Sequence, residues 1–356
     1  MSVLDLARPE LRGIRPYVPG QYEPGCIRLN ANESPWRTPG DTSERGLNVY
    51  PPPRPAALTA KLAEYYGIEP SQILVTRGSS EAIDVLIRGF CAAGRDRILI
   101  CPPTFDMYRL YASIQNADVR RVPLRTGETF ALDTDKVLAA VDAQTKIVFI
   151  CSPNNPTGQS MARADVERIC RETAGRAVVV IDEAYHEFAE TQNFLELRNR
   201  YEHVVLLRTL SKFVSLAGVR CGLLIAAPEV IEFSQGVLPP YTFPTPSIEL
   251  VLQALSQDSL RVSVERVALL KRERARLAEA LGDVPDVLRV YPSDANFILV
   301  KVRDGQRFRE MTRRAGILVR TFEDPLLQNC VRITVGRPGD NDLLLRAVAG
   351  SERTHA

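Results

Sequence analysis

The chain has 356 residues, 45% hydrophobic and 25% charged, a balance that suits a globular protein with a large and a smaller domain and excludes a disordered or fibrous chain. With 45 Lys and Arg against 43 Asp and Glu, the net charge of +2 argues against a nucleic-acid binder held by a basic face. Seven scattered cysteines without a C-x-x-C pair, together with only three histidines, argue against a disulfide framework or a metal site.

No apolar run approaches the roughly 20 residues of a membrane span, and the N-terminus lacks an apolar signal core. Free thiols in a reducing cytoplasm are therefore expected.

Residues 1–45 carry Pro and Gly in many places and no clear periodicity. They read as an N-terminal arm lying across other structure, such as a partner subunit or the C-terminal domain. From about residue 55, strand-length apolar runs alternate with helical patterns. The predicted strands are Ile73–Thr76, Arg97–Cys101, Val119–Val122, Ile147–Cys151, Val178–Asp182, Val204–Arg208 and Gly222–Ala226. Ser80–Cys91 and Asp165–Thr173 are amphipathic at helical spacing. This alternation predicts a large α/β domain over 46–245, built on a mostly parallel sheet covered by helices.

From Pro239 the texture changes. The proline-dense run PPYTFPTP is followed by a helical pattern over Ile248–Leu281, interrupted near Asp258. Shorter segments follow at Leu288–Tyr291, Asn296–Val302, Phe308–Ala315, Val331–Val335 and Asp340–Ala349. They predict a small α+β domain over 246–356.

Ligands of open α/β sheets lie beyond the carboxyl ends of the strands. Five such ends carry suggestive residues. In TRGSSEAID, Ser79 and Ser80 open a helix whose free N–H groups form a phosphate site, or simply cap the helix. In CPPTFDMY, Phe105 offers an aromatic face for stacking, or a core ring. In CSPNNPTG, Asn155 offers a side-chain donor on a turn that turn chemistry alone also explains. In VVVIDEAY, Asp182 ends an aliphatic strand, and a buried carboxylate there needs a cation such as a protonated pyridine nitrogen, unless it caps the next helix. Tyr185 follows within reach of the same ring. In RTLSKFVSLAGVRCG, Thr209, Ser211 and Arg220 suit a phosphate, while Lys212 can form an imine with an aldehyde; a surface lysine and arginine are the plain alternative. Jointly these residues meet the needs of one phosphorylated, aldehyde-bearing aromatic cofactor.

The set PNNPTG, DEAY, TLSK and AGVRCG resembles the fold-type I, class II aminotransferases, above all their histidinol-phosphate branch. The likeness runs from IRPY and LNANESP to CVRITVGRP. It implies pyridoxal 5'-phosphate as cofactor, with Lys212 as the lysine that bonds it and shuttles protons, and Asp182 as the ring-nitrogen partner. It further implies Asn155 and Tyr185 at the phenolic oxygen, Phe105 stacked on the ring, and Ser79, Ser80, Thr209, Ser211 and Arg220 at the phosphate. Tyr50, in NVYPPP, corresponds to a tyrosine that reaches the neighbouring subunit's phosphate, which implies a homodimer. Tyr17, Asn32, Arg320 and Arg332 correspond to substrate residues.

Phe105 stands where many members carry tyrosine, so the stacking ring has no hydroxyl. The implied reaction is transamination between L-histidinol phosphate and 2-oxoglutarate, giving imidazole-acetol phosphate and L-glutamate. Aromatic amino-acid transamination and threonine-phosphate decarboxylation are neighbouring activities. A nicotinamide dehydrogenase would require a G-x-G-x-x-G turn, and the chain has none.

Overall fold

The computed structural model describes residues 2–20, 26–190 and 193–349; residues 21–25 of the arm and the last seven of the expected small domain lie outside the described residues. The large sheet and its helices comprise α1 (Ala56–Tyr66), β1 (Ile73–Arg77), α2 (Ser79–Phe90), β2 (Arg97–Ile100), α3 (Met107–Ile114), β3 (Asp118–Arg121), α4 (Thr134–Ala140), β4 (Thr145–Cys151) and α5 (Arg163–Glu172). They continue with β5 (Val178–Asp182), α6 (Leu195–Arg200), β6 (Val204–Thr209), β7 (Cys221–Ile225), α7 (Pro228–Val237) and α8 (Thr245–Ala254). Then come α9 (Gln257–Gly282), β8 (Val287–Val290), β9 (Phe297–Val302), α10 (Gly305–Arg314), β10 (Arg320–Thr321), β11 (Cys330–Thr334) and α11 (Pro338–Ala349).

Each of the seven strands expected in the large domain is present, β5 with the expected ends and the others differing by a residue or two. They form one sheet in the order β1-β7-β6-β5-β4-β2-β3. Only β7 runs against its neighbours; the rest are parallel. Alternate residues feed two cores: Val179, Ile181, Val204 and Leu206 pack on one face, Val178, Val180, Val205 and Leu207 on the other. A sheet buried on both faces explains why VVVID reads as a continuous aliphatic run.

The second sheet, β10-β11-β9-β8, is antiparallel and encloses its own core around Ile298, Val300, Phe308, Val331 and Leu344. Its edge strand β10 is two residues long, too short for periodicity to register.

The helical pattern after Pro244 breaks at Leu255–Ser256, close to the interruption expected near Asp258, because the Ser256 hydroxyl caps α9 by accepting from the Ser259 N–H. The large core also runs past residue 245, since Val251, Leu255 and Val267 belong to it, whereas Leu277 and Leu281 of the same α9 belong to the small core. Helix α9 therefore serves both.

The start of the arm is also less extended than its composition suggested, and it does not pack on the small sheet. Val3–Leu6 and Pro9–Leu11 form 3₁₀ turns that bury Val3 and Ala7 against the large domain, with the Arg8 N–H bonded to the Gly89 carbonyl. Farther along the arm, Val18, Ile27, Leu29 and Trp36 are turned outward.

Candidate active site

The register of the large sheet brings the chemistry to one edge. Cys151 lies opposite Asp182, Thr209 opposite Gly222, and Gly222 opposite Thr76. Because β7 is antiparallel, its first residues meet the last residues of β1 and β6. The loops that follow β1, β2, β4, β5 and β6 therefore converge.

Asp182 ends β5 and is 2% exposed. Its carboxylate accepts from the Tyr108 hydroxyl at 2.8 Å and from the Ala184 N–H at 3.1 Å. Among the described residues it has no cationic partner within ion-pair distance. Burial pushes its pKa up to about 6, against the pull of those donors. The site thus holds a desolvated carboxylate awaiting a positive charge.

Beside it, Asn155 Nδ2 donates to the Tyr185 hydroxyl oxygen at 3.3 Å, and the Arg332 guanidinium donates to Asn155 Oδ1. The Tyr185 ring meets Phe297 edge-on at 5.1 Å, and Arg332 lies over the same Phe297 ring at 5.3 Å. Burial raises the Tyr185 pKa, so its hydroxyl keeps its proton.

Lys212 sits half-buried in the β6–β7 connection, which forms turns and no helix. Burial lowers its pKa, and the positive charges of Arg332 and Arg220 lower it further. All three act in the same direction, towards a neutral, nucleophilic amine.

Arg220 adopts a left-handed backbone (φ 64°), a conformation uncommon for arginine, and its guanidinium lies against Gly78, the N-cap of α2. A Cβ at Gly78 would collide with that guanidinium, and a Cβ at Gly222 would collide with the Gly78–Ser79 backbone. These two glycines leave a narrow cradle where Ser79, Ser80 and the first N–H groups of α2 face Arg220. Thr209, buried at the end of β6, has its hydroxyl 2.8 Å from that of Ser211. Phe105 follows β2 and meets Tyr108 edge-on, with ring centroids 5.7 Å apart.

Two residues absent from the sequence-based set belong here. Tyr108 holds Asp182. Asn154 ties the loop after β4 to the loop after β2, donating to the Pro103 carbonyl at 2.8 Å and accepting from Thr104 at 3.0 Å. Tyr108 lies in the first turn of α3, three residues after Phe105 in the loop before it, and that closeness to the expected stacking residue could have drawn notice.

The residues expected from the arm lie apart. Tyr50 stacks on Tyr241 at 4.7 Å and Tyr17 meets Tyr241 edge-on at 6.2 Å, both largely exposed. Asn32 is exposed in a left-handed conformation (φ 55°). Arg320 is exposed on β10, directly opposite Arg332 on β11.

Among the described residues, no cluster of metal-ligating side chains occurs, and no helix is long and apolar enough to cross a membrane.

Comparison with known proteins agrees with this geometry. The sequence profile of the family "Aminotransferase class I and II" matches residues 21–348. A histidinol-phosphate aminotransferase of Xanthomonas campestris pv. campestris (strain 8004) is 42% identical over 352 residues, 98% of this chain and 97% of the relative. Among solved structures, the histidinol-phosphate aminotransferase from Clostridium acetobutylicum superposes with a TM-score of 0.78 at 23% identity, covering 86% of this chain and 91% of that one. The Sinorhizobium meliloti histidinol-phosphate aminotransferase, solved in complex with pyridoxal-5'-phosphate, gives 0.78 at 22% identity, covering 87% and 84%. At those identities the structures speak for the fold alone, while the family match and the 42% relative span nearly the whole chain. The chain belongs to the class I and II aminotransferase family.

Proposed function

We propose that this aminotransferase uses pyridoxal 5'-phosphate to exchange an amino group between L-histidinol phosphate and 2-oxoglutarate, giving imidazole-acetol phosphate and L-glutamate, a transamination of L-histidine biosynthesis. The donor set fits the cofactor. The Gly78–Gly222 cradle, the first N–H groups of α2, Ser79, Ser80, Thr209, Ser211 and Arg220 would hold its phosphate. Phe105 would stack on the ring, Asn155 and Tyr185 would donate to its phenolic oxygen, and Asp182 would take its protonated nitrogen. Lys212 would hold its aldehyde carbon.

When bound, the cofactor supplies an electron sink for the carbanion formed at the substrate's Cα. The chain's own residues do the rest. Asp182 would keep the ring nitrogen positive, an interaction that its burial would strengthen. Burial and the nearby Arg332 and Arg220 favour the neutral form of the Lys212 amine, and Nζ would accept the Cα proton and return it later. Asn155 and Tyr185 would orient the ring by hydrogen bonds to its phenolic oxygen.

One observation carries the substrate class. Arg320 and Arg332 face each other across a strand pair, and among the described residues neither has a carboxylate partner within ion-pair distance. Like charges directly opposite are unfavourable without an anion between them. A phosphate monoester and a carboxylate both satisfy a guanidinium pair, as a transaminase with one phosphorylated and one dicarboxylic partner requires. The 42% relative over nearly the full length supports histidinol phosphate in particular.

The exposed apolar arm supports a homodimer with shared sites, in which Tyr50 and Tyr17 act across the interface; Ile27 and Leu29 are 89% and 88% exposed in the single chain. Six buried free cysteines accord with a cytoplasmic enzyme.

A half-reaction assay tests the substrate assignment. Histidinol phosphate should convert the bound cofactor faster than phenylalanine or tyrosine does, and glutamate should complete the cycle. Carbon dioxide release from threonine phosphate, or a clear preference for an aromatic amino acid, would overturn it.

A further inference from the structure

We propose that Tyr108 is a positioning residue for the reaction, orienting Asp182 and stabilising its carboxylate through a buried hydroxyl-to-carboxylate hydrogen bond. The inference rests on the reading of Asp182 as the ring-nitrogen partner, and it concerns a residue that acts through Asp182.

Geometry leaves the Tyr108 hydroxyl little freedom. The side chain is 0% exposed. Its ring stacks on Phe149 at 4.5 Å with an 11° interplanar angle, and its edge meets Phe105. Clamped on two sides, the hydroxyl lies 2.8 Å from Asp182 Oδ2, while Oδ1 of the same carboxylate takes the Ala184 N–H. Both oxygens are thus committed to donors, and the carboxylate plane is set. Phe105 lies in the loop just before α3 and Tyr108 in its first turn, so one short connection places both the stacking ring and the donor to Asp182.

Chemistry makes Tyr108 an obligate donor. Burial and the neighbouring Asp182 and Cys151 raise its pKa well above the usual value, so it keeps its proton throughout the working range. A permanent donor favours the ionised form of the carboxylate it contacts, because only a carboxylate offers both oxygens as acceptors. The other groups that bear on Asp182 do the opposite or are occupied elsewhere. Glu183 disfavours its charge, although its own carboxylate is paired with the buried Arg208, and the Cys151 thiol is held neutral by burial. Tyr185 is committed to Asn155. Tyr108 is therefore the side-chain donor that offsets desolvation at this carboxylate.

A tyrosine that merely fills the core would affect stability; a positioning tyrosine also affects the proton on the cofactor. The holoenzyme loaded with pyridoxal phosphate labelled with ¹⁵N in the ring separates the two, with the nitrogen chemical shift followed against pH. Tyr108→Phe keeps the stacked ring and deletes only the donor. It should lower the pH at which the nitrogen loses its proton by about one unit and lower kcat with histidinol phosphate about ten-fold, with KM little changed. Tyr108→3-fluorotyrosine makes a stronger donor of the same shape and should shift the titration the other way. It decides the matter if Tyr108→Phe folds poorly by thermal unfolding.

A wild-type nitrogen titration in both variants would overturn the inference. Asp182→Asn distinguishes the layers of the argument. If it too leaves the nitrogen signal unchanged, the reading of Asp182 has failed; if it abolishes the protonated nitrogen while the Tyr108 variants do not, only the role of Tyr108 has.

Discussion

The carboxyl edge of the large sheet and the N-terminal arm both carry residues expected at the active site, yet they hold them in opposite ways. At the sheet edge, Asp182, Asn155 and Tyr185 are buried and bonded within one chain. Along the arm and just after it, Tyr17, Asn32 and Tyr50 stand exposed, with Tyr17 and Tyr50 packed only against Tyr241 among the described aromatic rings. The contrast teaches that a buried sheet edge can fix a carboxylate and its donors within one chain, whereas exposed residues on an irregular segment are held by few partners.

The comparison breaks most sharply at Lys212. Lys212→Ala should reduce histidinol-phosphate turnover by more than about 10⁴-fold and abolish covalent retention of the cofactor, read by single-turnover absorbance, with the fold intact.

Asp182→Asn comes next and splits function from stability. Activity should fall about 10²-fold or more. The stability of the cofactor-free protein should move the other way. The folded-state pKa of Asp182, about 6, stands above its ordinary 3.8, so the folded state retains a proton that the unfolded chain releases between those values. The contribution of Asp182 therefore worsens as pH rises through that window, by up to about 3 kcal/mol above it. Denaturant unfolding of the cofactor-free variant should show it more stable than wild type at pH 8 and nearly equal at pH 4. Equal stability at both would mean that the carboxylate carries no desolvation cost.

Arg332→Ala should lower kcat/KM for histidinol phosphate about 10–100-fold, with the more exposed Arg320→Ala costing less. Equal losses in both would place the anion midway between the strands.

The smallest effect on the single chain belongs to the arm. Leu29→Glu should change the stability of one subunit by no more than about 0.5 kcal/mol, yet weaken dimerisation at least ten-fold by sedimentation. An unchanged dimer would remove this part of the arm from the interface.

Much of the sheet edge was legible in the sequence. A strand buried on both faces reads as an unbroken aliphatic run, so a polar residue directly after it, such as Asp182 after VVVI, marks a loop at the ligand edge. The family motifs then tied Lys212, Asn155 and Arg220 to one cofactor. Tyr108 escaped notice because an aromatic on an amphipathic helix looks like core, and only a partner 74 residues away distinguishes it. Strand β10 escaped because two residues carry no period, although Arg320 itself was expected at the substrate. The turns that pack the start of the arm on the large domain went unread because their buried side chains, Val3 and Ala7, lie too far apart and too few to make a pattern.

By itself, the sequence determined the fold class and the order of strands along the chain, and it supplied the residues proposed to hold the cofactor, because periodicity and residue chemistry are local properties. Tertiary structure alone decided which of those residues meet. Strand register sets Arg320 opposite Arg332, the reversed β7 brings Gly222 against Gly78, and the turn into α3 delivers the Tyr108 hydroxyl to Asp182. These pairings depend on packing between segments distant in the chain, and no local pattern encodes them.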